Sequence, residues 1–195
     1  MFRMINYPTK RLNAQSSKTN QSTSRRGMSL EDDLNTTNLA YKESDKAIIY
    51  KKPTPITVVN VDYPTRNKAK ITEAYYKVAS TTDYNGIYKG YYIDFEAKET
   101  HSLTSFPLAN IHQHQIEHMQ AITRHKGIAF LIIRFSKRDE TYLLYIDDLT
   151  EFMKNNDRKS LPYAWIVEKA YQINYHLLRP VDYLNILDKT ILKGE

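Results

Sequence analysis

Thr81-Thr82-Asp83-Tyr84-Asn85-Gly86-Ile87-Tyr88-Lys89-Gly90-Tyr91-Tyr92-Ile93-Asp94-Phe95-Glu96-Ala97-Lys98-Glu99 is the stretch on which the fold turns. It carries two turn signals, Asn85-Gly86 and Lys89-Gly90, and predicts a β-hairpin. Side chains alternate along a strand. Ile93, Phe95 and Ala97 then face a core, while Asp94, Glu96 and Lys98 face the other way. With Lys89-Gly90 as a two-residue turn, Tyr88 pairs with Tyr91, Asp83 with Glu96, and Thr81 with Lys98. Opposed residues share a face, so one patch collects a hydroxyl, two carboxylates and an ammonium. With Asn85-Gly86 as the turn, Asp83 would oppose Tyr88 and the patch would dissolve. The first register gives longer strands and is preferred, with Asn85-Gly86 as a bulge.

Two facing carboxylates repel unless a cation sits between them. Hard oxygen donors suit Mg²⁺, which takes few protein ligands, several waters and a phosphate. Such an ion polarises a phosphodiester and acidifies bound water. Lys98, two residues from Glu96 on the same face, is placed to hold the attacking water and to offset charge building on phosphorus. The plainer reading is a solvated face on which Lys98 merely pairs with Glu96.

Outward from the hairpin, Gly127 to Phe135 is an almost continuous apolar run and predicts a strand buried on both faces. Tyr142 to Ile146 predicts its partner strand. Helices are expected near 29–42, 110–125, 147–154, 163–169 and 182–192, the first capped by Ser29 with Glu31, Asp32 and Asp33 at its positive end. Leu30, Leu34, Thr37 and Tyr41 make one face of that helix. Ala47 to Lys51 and Ile56 to Val61 predict short strands broken by Pro53 and Pro55. Strands mixed with flanking helices indicate an α/β domain with a mixed central sheet.

The 195 residues favour one domain, contain no cysteine, and hold no apolar run long enough to span a membrane. Disulfides, thiolate zinc sites and cysteine nucleophiles are excluded, and a reducing cytoplasm fits. Met1 to Lys10 lacks the apolar stretch of a signal peptide. The net charge of +6 sits in residues 1–30, where Arg3, Lys10, Arg11, Lys18, Arg25 and Arg26 face no acid. Residues 1–27 are therefore expected as a disordered basic arm and 28–195 as the folded domain. Such an arm tracks phosphate backbones, or is simply solvated. Between Tyr63 and Lys77, basic residues interleave with Tyr63, Tyr75 and Tyr76. That suits a projection that binds nucleic acid, or an exposed helix with its tyrosines packed inward.

Asp83 followed by Glu96-x-Lys98 is the pattern of the PD-(D/E)XK nuclease superfamily, with Thr82 where that superfamily carries proline. The wider text is more specific. Arg26-Gly27-Met28-Ser29-Leu30-Glu31, Lys52-Pro53-Thr54-Pro55, Val61-Asp62-Tyr63-Pro64, Ser80 to Gly86, Asp94 to Glu99 and His114-Gln115-Ile116-Glu117-His118 resemble, in order, the RecU family of Holliday junction resolvases. The resemblance implies a restriction-endonuclease-like fold with a protruding stalk, here about 58–78. It implies a metal held by Thr81, Asp83, Glu96 and Gln115, with Lys98 stabilising the transition state and Glu31 behind the ligands. The metal implied is Mg²⁺, with Mn²⁺ as a substitute. It further implies DNA contacts from Arg25, Arg26, Lys52, Arg66, Lys68, Lys70, Tyr75 and Lys77. The implied partners are four-way junction DNA, a second copy in a homodimer, and the recombinase filament, in a bacterial cytoplasm at the nucleoid and away from membranes. The alternatives are a non-catalytic junction-binding module and a PD-(D/E)XK nuclease with another DNA substrate.

One competing motif remains. His114-Gln-Ile-Glu117-His118 fits H-x-x-E-H, in which two histidines four apart on a helix share a zinc. That site needs a third protein ligand, for which Glu151 and Glu168 are nominal candidates.

Overall fold

The computed structural model describes residues 29–65, 67–77 and 81–192. Its elements begin with α1 (Leu30–Glu43), β1 (Ile48–Lys51), β2 (Ile56–Asp62) and β3 (Lys70–Tyr76). Next come β4 (Tyr84–Tyr88), β5 (Tyr91–Thr100), β6 (Ser105–Pro107) and α2 (Gln113–Arg124). The chain continues through β7 (Ile128–Phe135), β8 (Glu140–Tyr145), α3 (Ile146–Asn155) and β9 (Ser160–Pro162). It closes with α4 (Tyr163–Lys169), β10 (Tyr171–Ile173) and α5 (Leu184–Thr190). The expected basic arm, with Arg25 and Arg26, lies outside the described residues, as does Arg66.

Six strands form a mixed sheet in the order β1-β4-β5-β7-β8-β10. Its centre is the parallel pair β5–β7, and its other pairings are antiparallel. Every residue of β7 is buried, which explains why its sequence is a run and not an alternation. Ile128, Phe130 and Ile132 of β7 enter one core with α1 and α5. Ala129, Leu131, Ile133 and Phe135 enter the opposite core with α2, α3 and α4. The first core is tied by a stack of Tyr84, Phe95 and Phe130, with successive ring centroids 4.9 Å apart. Ser29 caps α1 in a reciprocal box with Asp32, and Asp33 of α1 is pinned to Arg134 of β7 at 2.6 Å, both side chains buried.

The β4–β5 hairpin has the expected register, Tyr88 against Tyr91 and Tyr84 against Phe95. Lys89 (φ +49°) and Gly90 (φ +82°) make its two-residue turn, both in the left-handed conformation such turns require. Asn85-Gly86 is not a bulge. These residues pair regularly with Asp94 and Ile93. Glycine is needed there because β1 crosses against it: a β-carbon on Gly86 would stand 2.7 Å from Ile49 Cα and overlap the Ile48 carbonyl. The ladder stops at Tyr84, so Thr81 and Lys98 are not ladder partners. Side chains replace backbone in ending it. Asp83 N–H donates to Glu96 Oε2 at 3.1 Å, and Ala97 N–H donates to Asp83 Oδ2 at 3.3 Å.

Residues 70–76 form a strand, not a helix. β3 pairs with β2 as a separate two-stranded ribbon whose register shifts between Val58 and Val61. Nearly all its residues are exposed. The helix expected at 110–125 starts later, because Leu108–Asn110 forms a 3₁₀ turn, and Lys126 (φ +68°) takes the left-handed position after α2. β6, β9 and β10, three residues each, carry no alternation that would announce them.

Candidate active site

The α2-side face of the sheet is apolar along β7 and polar along β5. Asp94, Glu96 and Lys98 stand in register with Ala129, Leu131 and Ile133. Asp94 and Glu96 are fully buried there, not solvated as a surface face would be. The strand that supplies Ile93 and Phe95 to one core thus spends its other face on acids.

Asp83 and Glu96 meet through the exchange that ends the ladder. Lys98 Nζ lies 2.5 Å from Glu96 Oε1, an oxygen that is buried without a well-directed hydrogen bond. Burial, first, and the negative charge of Asp83, second, push the Glu96 carboxyl up to about 7, against the opposing pull of Lys98. A buried glutamate against a half-buried aspartate, with an under-satisfied oxygen between them and Lys98, fits a divalent cation. Bound there, the cation would relieve the repulsion and complete the coordination of that oxygen. Among the described residues no three His, Asp or Glu side chains converge on a metal position. Any cation here would therefore take two carboxylates plus neutral oxygens and water, which is the habit of Mg²⁺.

The remaining expected residues fall into three groups. Thr81 lines, with Asp83, Ala97 and Glu99, a cleft of about 410 Å³ beneath the start of α1. Glu31 lines the same cleft and pairs with Lys51 at 2.5 Å. Gln115 is buried in the first turn of α2, where its Oε1 accepts from the His112 backbone N–H at 3.0 Å. One lone pair of that amide oxygen is therefore already used by the cap, and a second remains for a cation. Lys68, Lys70, Tyr75 and Lys77 are exposed on the ribbon and the turns beside it. The Tyr75 hydroxyl donates to Glu73 at 2.7 Å, a bond that holds its pKa above the usual phenol value.

Lys52 departs from the group. Its ammonium is not held out for a phosphate but donates to Thr82 Oγ1 and Asp94 Oδ2, each at 2.8 Å. Asp94 was not among the expected site residues. Its signal is faint, because an acid on the polar face of an alternating strand looks the same whether that face is wet or buried. The two histidines of the H-x-x-E-H motif do not build a zinc site with a third residue among those described. His118 instead approaches Asp94 at 3.4 Å, and Glu117 accepts from Gln113.

These features define a class: a mixed-sheet α/β domain with a carboxylate pair and a lysine on a central strand, and a two-stranded ribbon beside them. Within it the chain belongs to the RecU family, described as recombination protein U, whose match spans residues 25–189. It is 57% identical over 173 residues to the Holliday junction resolvase RecU of Oceanobacillus iheyensis, covering 87% of this chain and 88% of that one. The protein of the same name from Levilactobacillus brevis is 50% identical, covering 94% and 93%. That from Streptococcus mutans is 49% identical, covering 98% and 100%. Among solved structures, the Holliday junction resolvase Hjc of Archaeoglobus fulgidus aligns with 69% of this chain and 90% of its own, at 9% identity and a TM-score of 0.41. No helix among the described residues is long and apolar enough to cross a membrane.

Proposed function

We propose that this protein is a divalent-metal-dependent endonuclease that resolves four-way DNA junctions in recombination and repair. The observation that carries the reading is the Asp83–Glu96 pair, Asp83 half-buried and Glu96 fully buried, with Glu96 raised to about 7 beside the ammonium of Lys98. Family membership and the names of the relatives support the junction as substrate.

Asp83 and Glu96, joined by Thr81 and the free lone pair of Gln115, would hold Mg²⁺, or Mn²⁺ in its place. When bound, the ion would supply Lewis-acid polarisation of the scissile phosphate and acidify a water. The chain's own contribution is positional and electrostatic. Lys98 offers an ammonium that donates to the oxygen on which negative charge develops, in a site walled by β7 and α2 where such a contact is strong. Glu31, at the mouth of the cleft, is held by Lys51 and orders the approach to the acids. Lys68, Lys70, Tyr75 and Lys77 supply phosphate and base contacts along the ribbon, which serves as the stalk, and Arg25, Arg26 and Arg66 add phosphate contacts of their own. Two matched cuts on opposing strands call for a two-fold homodimer, whose symmetry mirrors the junction. A recombinase filament in the bacterial nucleoid would be the setting.

The test is cleavage of synthetic four-way junction, flap and linear duplex DNA with Mg²⁺. Symmetric cuts in the junction, lost in Glu96→Gln and Asp83→Asn, are expected. Junction binding without cleavage under any divalent cation would make the protein a binding module instead. Equal cutting of flap or duplex would move it to another DNA substrate.

A further inference from the structure

Asp94 is fully buried on β5, two residues from Glu96. Its carboxylate is met by Lys52 Nζ at 2.8 Å, the Thr82 hydroxyl, Tyr92 OH at 2.9 Å and His118 Nε2 at 3.4 Å. Lys52 also reaches the neighbouring segment twice. Nζ donates to Thr82 Oγ1 at 2.8 Å, and the backbone N–H donates to the Asp83 carbonyl at 2.7 Å. Pro53 follows Lys52 and keeps its backbone extended, so the lysine is presented from a stiff position.

The geometry matters because residues 81–83 have left the β4–β5 ladder. Their placement depends on side chains and on the single backbone bond from Lys52 N–H to the Asp83 carbonyl, and Thr82 is the link between Thr81 and Asp83. We infer that Lys52, Thr82 and Asp94 form a positioning clamp that sets the Asp83 carboxylate against Glu96, and that Lys52 serves this clamp and is not a phosphate contact. The inference rests on the metal-site reading above. Asp94 is not offered as a ligand: Lys52, Thr82, Tyr92 and His118 already hold its carboxylate in place. Its role is that of an outer carboxylate, which orients inner ligands and whose loss weakens metal binding.

Loss of Lys52 alone would strand a buried carboxylate, so Thr82→Val, nearly isosteric, is tested beside Lys52→Met. Full-length proteins are titrated with Mg²⁺ by calorimetry, below the melting temperature of each variant. Junction binding is measured without divalent cation over a salt series. Both variants are expected to bind Mg²⁺ roughly tenfold more weakly. Thr82→Ser, which keeps the hydroxyl, should restore the parent affinity. The salt dependence of junction binding should stay unchanged in Lys52→Met. Parent-like Mg²⁺ affinity in folded Thr82→Val overturns the clamp. So does a Lys52→Met protein that keeps its Mg²⁺ affinity and loses about one unit of salt slope, the mark of a lost phosphate contact. A parent protein that binds no Mg²⁺ overturns the metal site itself, a result distinct from either.

Discussion

Two antiparallel ribbons in this molecule have opposite fates. The β4–β5 hairpin is locked between β1 and β7, and its register runs without a slip from Tyr88–Tyr91 to Tyr84–Phe95. Among the described residues the β2–β3 ribbon has no further strand beside it; it slips register near Val59 and exposes Tyr63, Tyr75 and Tyr76. Around Phe95 and Glu96, both fully buried, a one-residue slip would put Phe95 in the polar slot and Glu96 in the apolar core, so register is strongly specified. Where neither face is buried, pairing alone decides. Chemistry that needs two carboxylates held in fixed contact belongs on the first kind of ribbon, and the surface proposed to meet DNA lies on the second.

This contrast can be broken at several points. The largest effect is expected at Lys98. Lys98→Ala should lower single-turnover junction cleavage about 10²–10³-fold while leaving junction affinity within about twofold, as read by gel shift; equal losses in both would place Lys98 in binding, not catalysis. Gly86→Val comes next, because its side chain must enter the backbone of β1. It should destabilise the protein by about 3 kcal/mol or more in urea denaturation, and a stable variant would mean that β1 is free to move away from the hairpin.

The pH dependence is smaller and has a definite sign. Glu96 binds its proton more tightly folded than unfolded, since its pKa is raised to about 7. Its contribution to the stability of the metal-free protein is therefore fully present below the ordinary glutamate range and is lost as pH rises from there through about 7, by on the order of 1–3 kcal/mol. Glu96→Gln should flatten that profile, and Mg²⁺ should restore stability at pH 8. A parent whose melting temperature is level from pH 5 to 8 would show that the acid pair is not strained. The smallest stability effect is expected on the exposed ribbon. Lys70→Ala and Tyr76→Ala should change folding stability by no more than about 0.5 kcal/mol yet weaken junction binding. Lys70→Ala should also reduce the salt slope by about one unit.

Much of this was legible before any coordinates. The Lys89-Gly90 turn fixes which residues oppose each other, and that arithmetic alone brings Asp83 to Glu96. Ser29 announces α1, and the run from Ile128 announces β7, because capping and continuous burial leave strong local marks. Other features are decided at a distance. Gly86 resembles a turn residue, but its requirement comes from β1, which only the folded sheet brings near. Lys52 resembles a surface base, and only the burial of Asp94 shows where its charge is used. Gln115 is fixed by its helix start, where its side chain accepts from the His112 backbone N–H, and the letter alone does not show it. The three-residue strands β6, β9 and β10 are too short for any period to emerge.

The central sheet is bounded by very short margins. β1 at one side has four residues and β10 at the other has three. A rim this brief offers an incoming strand only a handful of backbone hydrogen bonds, and brevity of this kind is one way proteins discourage sheet-to-sheet fusion. The two copies of the proposed homodimer would then have to recognise each other through side-chain surfaces, not by prolonging the sheet. Mutations that weaken that recognition should yield stable single copies instead of aggregates.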